Sequence, residues 1–334
     1  MSQTTPDVAD FRGQWAALYD PIRTDLAQVE RILQRELRNR HGYIDGLVKH
    51  SFHLGGKRLR PALVLLAAQA VGTVTPAHHT LAAVVEMIHT ATLVHDDVLD
   101  EATVRRHLPT VNARWDTQSS VLLGDYLFTH AFYLSSTLGT TFACETIGRA
   151  TNTVCEGELR QVASRGRFDL SEDEYLEIIE AKTASLCACC CRLGAHYAGA
   201  APPLEESLAH FGLELGIAFQ IADDVLDLVG HESQTGKSLG TDLEKQKLTL
   251  PLIRLLDRLE PHERGDLVAV LSRPGDDRRE ALNRWLAESD ALSYAQEKAA
   301  DYARRATAHL QGLVPSPALA VLAQLPELVV NRQH

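Results

Sequence analysis

Apolar residues recur at helical spacing along nearly the whole chain. In residues 25–38, Leu26, Val29, Ile32, Leu33 and Leu37 share one stripe, with arginines and glutamates opposite as a solvated face. Ser171 followed by Glu174 forms a capping-box pattern, and the run it opens continues through Leu176, Ile179, Leu186 and Leu193. Alternating, β-branched runs bounded by turn residues are lacking. Loops are predicted at Gly72–Pro76, Arg165–Asp169, Ala200–Pro203, Gly230–Gly240 and Pro274–Asp277. No solenoid repeat and no Ser/Gly-rich linker divides the chain. The expected architecture is a single all-α domain over residues 1–334, with about a dozen helices and a flexible N-terminal segment 1–20.

Composition narrows the function classes. With 334 residues, 45% apolar and 23% charged, the chain matches an ordinary globular protein that buries its core without disulfide or metal staples. Asp and Glu outnumber Lys and Arg 44 to 33, which argues against a nucleic-acid binder. A small anionic ligand remains compatible, because local basic clusters or a bound cation reverse the field at one site. The N-terminus carries acid where a signal peptide would carry base. In the uncharged stretch Pro61–Val85 the apolar part, Ala62–Val71, is too short to span a bilayer, so a cytoplasmic protein is expected. Four of six cysteines crowd into Cys187, Cys189, Cys190 and Cys191 on a helical run, without a Cys-x-x-Cys loop pair or a His partner, and read as small buried residues.

Two segments carry the chemistry. Leu93-Val-His-Asp-Asp-Val-Leu-Asp100 and Phe219-Gln-Ile-Ala-Asp-Asp-Val-Leu-Asp227 each end an apolar helix in Asp-Asp-x-x-Asp. Asp96 with Asp100, and Asp223 with Asp227, lie one helical turn apart on one face, where like charges repel. A divalent cation removes that repulsion, and oxygen-only ligands select a hard ion, Mg²⁺ first. Asp276-Asp277-Arg278-Arg279 follows a Pro-Gly turn and carries its own counter-charges, so it reads as surface. Basic residues are localised too. Gly55-Gly-Lys57-Arg58-Leu-Arg60-Pro61 joins a glycine pair to three cations, and Arg105 and Arg106 follow the first acidic cluster. Lys182 and Thr183 sit mid-helix, and Lys237 and Lys247 bracket the Gly-rich loop after the second cluster. Acids for metal and bases for phosphate oxygens together describe a diphosphate site.

These motifs resemble the trans-isoprenyl diphosphate synthases of the polyprenyl synthetase family, the head-to-tail prenyltransferases. The resemblance runs from Gly55–Pro61 through both aspartate motifs to Gly236-Lys-Ser-Leu-Gly-Thr-Asp242 and Leu248-Thr-Leu-Pro251, with Leu123-Gly-Asp-Tyr126, Lys182-Thr183 and Phe219-Gln220 in order. It implies an all-α bundle around a deep apolar cavity, usually a homodimer, with transient membrane contact for product release. It also implies Mg²⁺, three ions with diphosphate bound, at Asp96, Asp97, Asp100, Asp223, Asp224 and Asp227. Lys57, Arg60, His89 and Arg106 match the isopentenyl diphosphate site. Arg105, Lys182, Thr183, Gln220, Lys237 and Lys247 match the allylic side, with Lys182, Thr183 and Gln220 nearest the chemistry. His89, seven residues before Asp96, lies within about 20° of the same helix face. Two departures stand out: His107 and Gln246 occupy positions where the family often has Gly, which bears on loop mobility.

The resemblance implies ionisation of an allylic diphosphate, attack by isopentenyl diphosphate and proton loss to the departing pyrophosphate. A terpene cyclase would not need the segment 55–61, and a head-to-head synthase would space its aspartates differently. A short-chain farnesyl or geranylgeranyl synthase, and a non-catalytic subunit of a heteromeric synthase, are the remaining alternatives. Val85, Ile88, Ala91 and Thr92 approach or flank the metal-facing side of their helix, and Ala91 and Thr92 are small. From Asp96 back to Val85 spans about 16 Å of helix. At roughly 5 Å per isoprene unit that distance predicts a product of the hexa- to decaprenyl class, as in quinone side chains, with Phe132 or Tyr133 as the cavity floor.

Overall fold

The computed structural model describes residues 17–53, 56–229, 241–272 and 277–331. Lys237, Gly55, the Gly230–Gly240 loop, most of the Pro274–Asp277 loop and most of the first 20 residues lie outside that set. The described chain is helical apart from one hairpin of two-residue strands, Val104–Arg105 and Leu108–Pro109. That hairpin is too short for alternation to announce it. The amphipathic stripe at 25–38 forms the helix Arg23–Glu36 with Val29 and Leu33 buried. The capping box at Ser171 is present in both directions, Glu174 N–H to Ser171 Oγ and Ser171 N–H to Glu174 Oε2. No described helix is long and apolar enough to cross a membrane.

The chain divides into two compact units. The first comprises Met1–Gly148, Ala188–Ala209 and Leu310–Gln324. Its centre is the helix Leu59–Val71, buried along almost its whole length and on every side, as a core helix must be when apolar residues surround it. The helix Pro76–Leu99 starts at Thr75, whose backbone N–H is accepted by His78 Nδ1 at 2.9 Å, with Pro76 fixing the first turn. Gly194 lies so close to the Val64 carbonyl that any β-carbon there would collide with backbone. Cys190 and Cys191 are fully buried in the same unit, which accords with a packing role.

The second unit comprises Arg149–Cys187, His210–His309 and Leu325–His334. One apolar cluster holds it together, in which Ile217, Ile221, Val225 and Leu228 of the helix Pro202–Val229 pack with Leu252, Ile253 and Leu256 of the helix Leu250–Arg258. The spacing of these residues at three and four positions gives each helix one apolar side. Those helices fix where the second aspartate cluster stands.

Candidate active site

The helix Pro76–Leu99 presents the first aspartate cluster at its C-terminal end, where Asp100 is the cap and no basic residue stands in the last turn. The negative end of the helix dipole adds to three carboxylates, so the local field favours a cation. The three are unequal. Asp97 is 1% exposed and its Oδ1 accepts from Arg105 Nε at 2.8 Å, while Asp96 and Asp100 are half-buried. Burial lifts the Asp97 carboxyl above the usual range, Arg105 pulls it back, and Asp96 and Asp100 push the same way as burial. Asp97 Oδ2 is buried with no hydrogen-bond partner among the described residues. The preceding His95 lies against Gly124, where any β-carbon would collide with its ring, and His95 Nε2 meets the Val121 carbonyl at 3.1 Å. Gly124 therefore serves close approach.

The cations of this unit converge around His89. Arg60 Nη1 lies 3.2 Å from His89 Nε2, and Thr92 Oγ1 donates to the His89 carbonyl. Burial, then Arg60, Arg106, Arg105 and Arg58, hold the imidazole well below its ordinary pKa, so it is neutral. The Arg106 guanidinium packs on Gly56, its Nη1 2.9 Å from where a β-carbon would stand. Arg58 turns the other way. It donates to Glu86 at 2.5 Å and Glu30 at 2.7 Å, and its φ of 50° starts the next helix. Burial opposes its charge, but Glu86 and Glu30 outweigh that and raise its pKa. The three cations of 57–60 thus divide, with Arg58 structural and Arg60 at His89.

The second cluster ends the helix Pro202–Val229, again with no basic residue in the last turn. Asp224 is 5% exposed, and both its oxygens accept from neutral donors, Tyr175 Oη at 2.6 Å and Gln220 Nε2 at 2.8 Å. Burial and the charges of Asp242 and Asp223 push its carboxyl up to about 8, against those two hydrogen bonds. Asp223 and Asp227 are half-buried, and the Asp242 N–H donates to Asp227 Oδ2 at 3.2 Å. Lys247 Nζ lies 3.7 Å from Asp242 Oδ1.

Lys182 and Thr183 do not lie on regular α-helix. They occupy a π-helical turn, Glu180–Ala184, closed by Ser185 N–H to the Glu180 carbonyl. Such turns cluster at functional sites because they redirect side chains inside a helix. Two glycines admit this one: a β-carbon at Gly157 would meet Lys182 N at 2.6 Å, and one at Gly216 would meet Ala184 Cα at 2.5 Å. Thr183 Oγ1 donates to Gln220 Oε1 at 2.8 Å, and Lys182 Nζ sits 2.6 Å from Glu158 Oε1 and 2.8 Å from Gln161 Oε1. Helix interiors disfavour Gly, so the cost of Gly157 and Gly216 was a readable sign of close packing. Tyr175, Glu158, Gln161 and Asp242 carried no such sign, since their contacts come from distant elements.

The two departures from the family pattern share a backbone cause. Arg106 and His107 form the two-residue hairpin loop with φ of 52° and 64°, and Gln246 has φ of 53°. Both positions need the left-handed region that glycine adopts without cost. The departures therefore place a side chain at two positions where the backbone favours glycine.

No group of three or more His, Cys, Asp or Glu among the described residues forms a ready-made metal cage. The donor chemistry still fits Mg²⁺, which keeps waters and shares substrate phosphates instead of filling an all-protein shell. The half-buried Asp96, Asp100, Asp223 and Asp227 lie at the ends of helices whose last turns carry no basic residue. Of the six aspartates implied as ligands, Asp97 engages Arg105 through Oδ1, and Asp224 accepts from protein donors through both oxygens. The expected cavity lining changes as well. Val85, Ile88 and Ala91 have no exposed surface, so they are packed core and line no open channel here. Tyr133 is 62% exposed and forms no floor within this chain. Thr92 and Phe132 are half-buried.

Comparison with known proteins places these features in context. The polyprenyl synthetase family profile matches residues 41–288. The octaprenyl diphosphate synthase of Escherichia coli is 36% identical over 316 residues, covering 93% of this chain and 96% of that one. A decaprenyl diphosphate synthase structure from Rhodobacter capsulatus superposes with a TM-score of 0.90 at 36% identity, covering 96% of this chain and 99% of that one. A polyprenyl synthase from Caulobacter crescentus, complexed with calcium and isoprenyl diphosphate, gives a TM-score of 0.90 at 34% identity over the full length of both chains.

Proposed function

Because this chain belongs to the polyprenyl synthetase family, we propose that it makes an all-trans polyprenyl diphosphate of the hexa- to decaprenyl class. It adds isopentenyl diphosphate head-to-tail onto an allylic diphosphate primer. The observation that carries the reaction is the pairing of arginine-crowded His89 with carboxylates at the end of the same helix. One part attracts a diphosphate and the other the cation that accompanies it. The long product rests on relatives named as octaprenyl and decaprenyl diphosphate synthases. Small Thr92, half-buried beside His89, is compatible with that length.

Lys57, Arg60 and Arg106 bind the diphosphate of isopentenyl diphosphate. His89, neutral, offers an N–H without adding a further charge. Arg105, Lys182, Lys237 and Lys247 bind the allylic diphosphate, the arginine in bidentate fashion. Asp96, Asp100, Asp223 and Asp227 would hold Mg²⁺, three ions in the family pattern, with Asp97 and Asp224 orienting the clusters, and the metal would supply charge neutralisation for the leaving diphosphate. The Thr183 carbonyl and the Gln220 side chain stabilise the positive charge developing on the allylic carbon. The isopentenyl double bond attacks that carbon, and the departing pyrophosphate accepts the proton lost, so no protein base is required. We further propose that the chain acts as one domain in a cytoplasmic homodimer, with transient membrane contact for product release. Leu122 and Tyr133, exposed on one side of the helix Thr117–Ser136, support the homodimer.

The test is incubation of the purified protein with Mg²⁺, isopentenyl diphosphate and farnesyl diphosphate, with products resolved by chromatography. Products beyond twenty carbons are expected. Arrest at geranylgeranyl diphosphate, or at farnesyl diphosphate when geranyl diphosphate is the primer, would establish the short-chain alternative, and no condensation from either primer the non-catalytic one. Thr92→Phe should shorten the product toward farnesyl, and Phe132→Ala should lengthen it.

A further inference from the structure

The hairpin that carries Arg105 and Arg106 cannot hold its own position. It pairs only Val104 with Pro109 and Arg105 with Leu108, and Val104 and Leu108 are largely exposed. A ribbon of that size has no apolar face to stabilise it. At its base, Thr110 Oγ1 donates to the Ala102 carbonyl at 2.7 Å, and Asn112 Nδ2 donates to the same oxygen at 3.0 Å. Those bonds close the loop on itself, and Arg105 Nε to Asp97 Oδ1 at 2.8 Å ties its first strand to the helix Pro76–Leu99.

His50 grips the second strand from outside, at Pro109. It lies in the last turn of the helix Gly42–His53 and is 7% exposed. Its Nε2 meets the Pro109 carbonyl at 2.7 Å, and a carbonyl only accepts, so Nε2 carries the proton. Nδ1 is thereby left to accept from Arg114 Nη1 at 2.9 Å. The Trp115 ring packs edge-on at 5.2 Å and fixes the plane of the imidazole. Lys57 follows His50 by seven residues in the chain. His50 thus joins the chain segment bearing Lys57 and Arg60 to the hairpin bearing Arg106, whose guanidinium packs on Gly56.

We propose that His50 is a positioning residue that sets the spacing between the Lys57–Arg60 segment and the arginine hairpin, and so tunes affinity for the diphosphate of isopentenyl diphosphate. It touches no substrate and acts through the Pro109 carbonyl. The proposal rests on the assignment of Lys57, Arg60 and Arg106 to that substrate.

The experiment compares steady-state kinetics of His50→Ala, His50→Gln, Arg114→Met and Lys57→Ala with the unaltered enzyme. His50→Ala should raise KM for isopentenyl diphosphate about tenfold, as the loss of a buried hydrogen bond predicts, and change kcat less than about threefold. His50→Gln keeps one donor and one acceptor, so it should stay within about threefold of the parent. Arg114 is exposed, so Arg114→Met spares the fold and should raise the same KM about threefold; it decides the matter if His50→Ala does not fold. A fall in kcat at unchanged KM means lost active protein and would overturn the positioning role. So would a His50→Gln as impaired as His50→Ala. Lys57→Ala separates the two layers. If it raises KM while the His50 and Arg114 variants do not, the positioning role fails and the site stands. If Lys57→Ala leaves KM unchanged, the site assignment itself fails.

Discussion

The two aspartate clusters have the same sequence, Asp-Asp-Val-Leu-Asp, and the same place at the end of an apolar helix, yet their middle residues are held by opposite means. Asp97 leans on a cation, Arg105, at 2.8 Å. Asp224 is held by the neutral Tyr175 and Gln220, with the anions Asp242 and Asp223 raising its carboxyl to about 8. One motif therefore yields two electrostatic settings, decided by what distant elements bring to it. In both, the middle residue is buried and the outer pair is half-buried. We propose that the outer pair does the metal work and the middle residue orients its cluster.

The largest effect belongs to the outer carboxylates. Asp96→Asn and Asp223→Asn should each lower turnover by about three orders of magnitude, the scale seen when one transition-state charge contact is removed, with helical circular dichroism unchanged. Near-normal turnover in both would dissolve the distinction between outer and middle residues. Next come the glycines that admit the π turn in the second unit. Gly157→Ala and Gly216→Ala each push a β-carbon against backbone at 2.6 and 2.5 Å, respectively. Overpacking of this kind costs about 1–3 kcal/mol, and the loss should appear both in the melting midpoint and in turnover, because the displaced turn carries Lys182 and Thr183. An alanine variant with parental stability would show that the turn does not depend on that clearance.

A smaller effect sharpens the contrast between the two middle residues. Without metal, the folded chain keeps a proton on Asp224 up to about pH 8, whereas an unfolded aspartate releases it near 3.8. The folded state therefore binds the extra proton between those values, and stability from this group falls as pH rises across the window and levels off above it. The melting midpoint of chelated protein should drop from pH 5 to pH 8, and Asp224→Asn should flatten that drop. An equal slope in the variant would mean that Asp224 is ionised throughout.

Much of this was legible in the residues themselves. Helical periodicity placed Val29 and Leu33 inward, the Ser171–Glu174 spacing formed its capping box, and Arg60 stands beside His89 at 3.2 Å. What periodicity cannot distinguish is a side facing packed core from a side facing open space. Val85, on nearly the same side of its helix as Asp96, is for that reason fully buried when a channel was expected. Nor does local sequence show which of two adjacent cations turns inward, as Arg58 does toward Glu86, because the deciding partner lies 28 residues away. The π turn escaped for the same reason: it is set by Gly157 and Gly216, on two other helices.

The most direct test of the division of labour is Mg²⁺ titration of pyrophosphate binding by calorimetry, on the six single Asp→Asn variants of the two motifs. Asn at 96, 100, 223 or 227 should raise the Mg²⁺ concentration needed for half-maximal binding by about tenfold or more, whereas Asn at 97 or 224 should shift it less than about threefold. A Mg²⁺ requirement displaced more by the Asp97 and Asp224 variants than by the outer four would contradict the account.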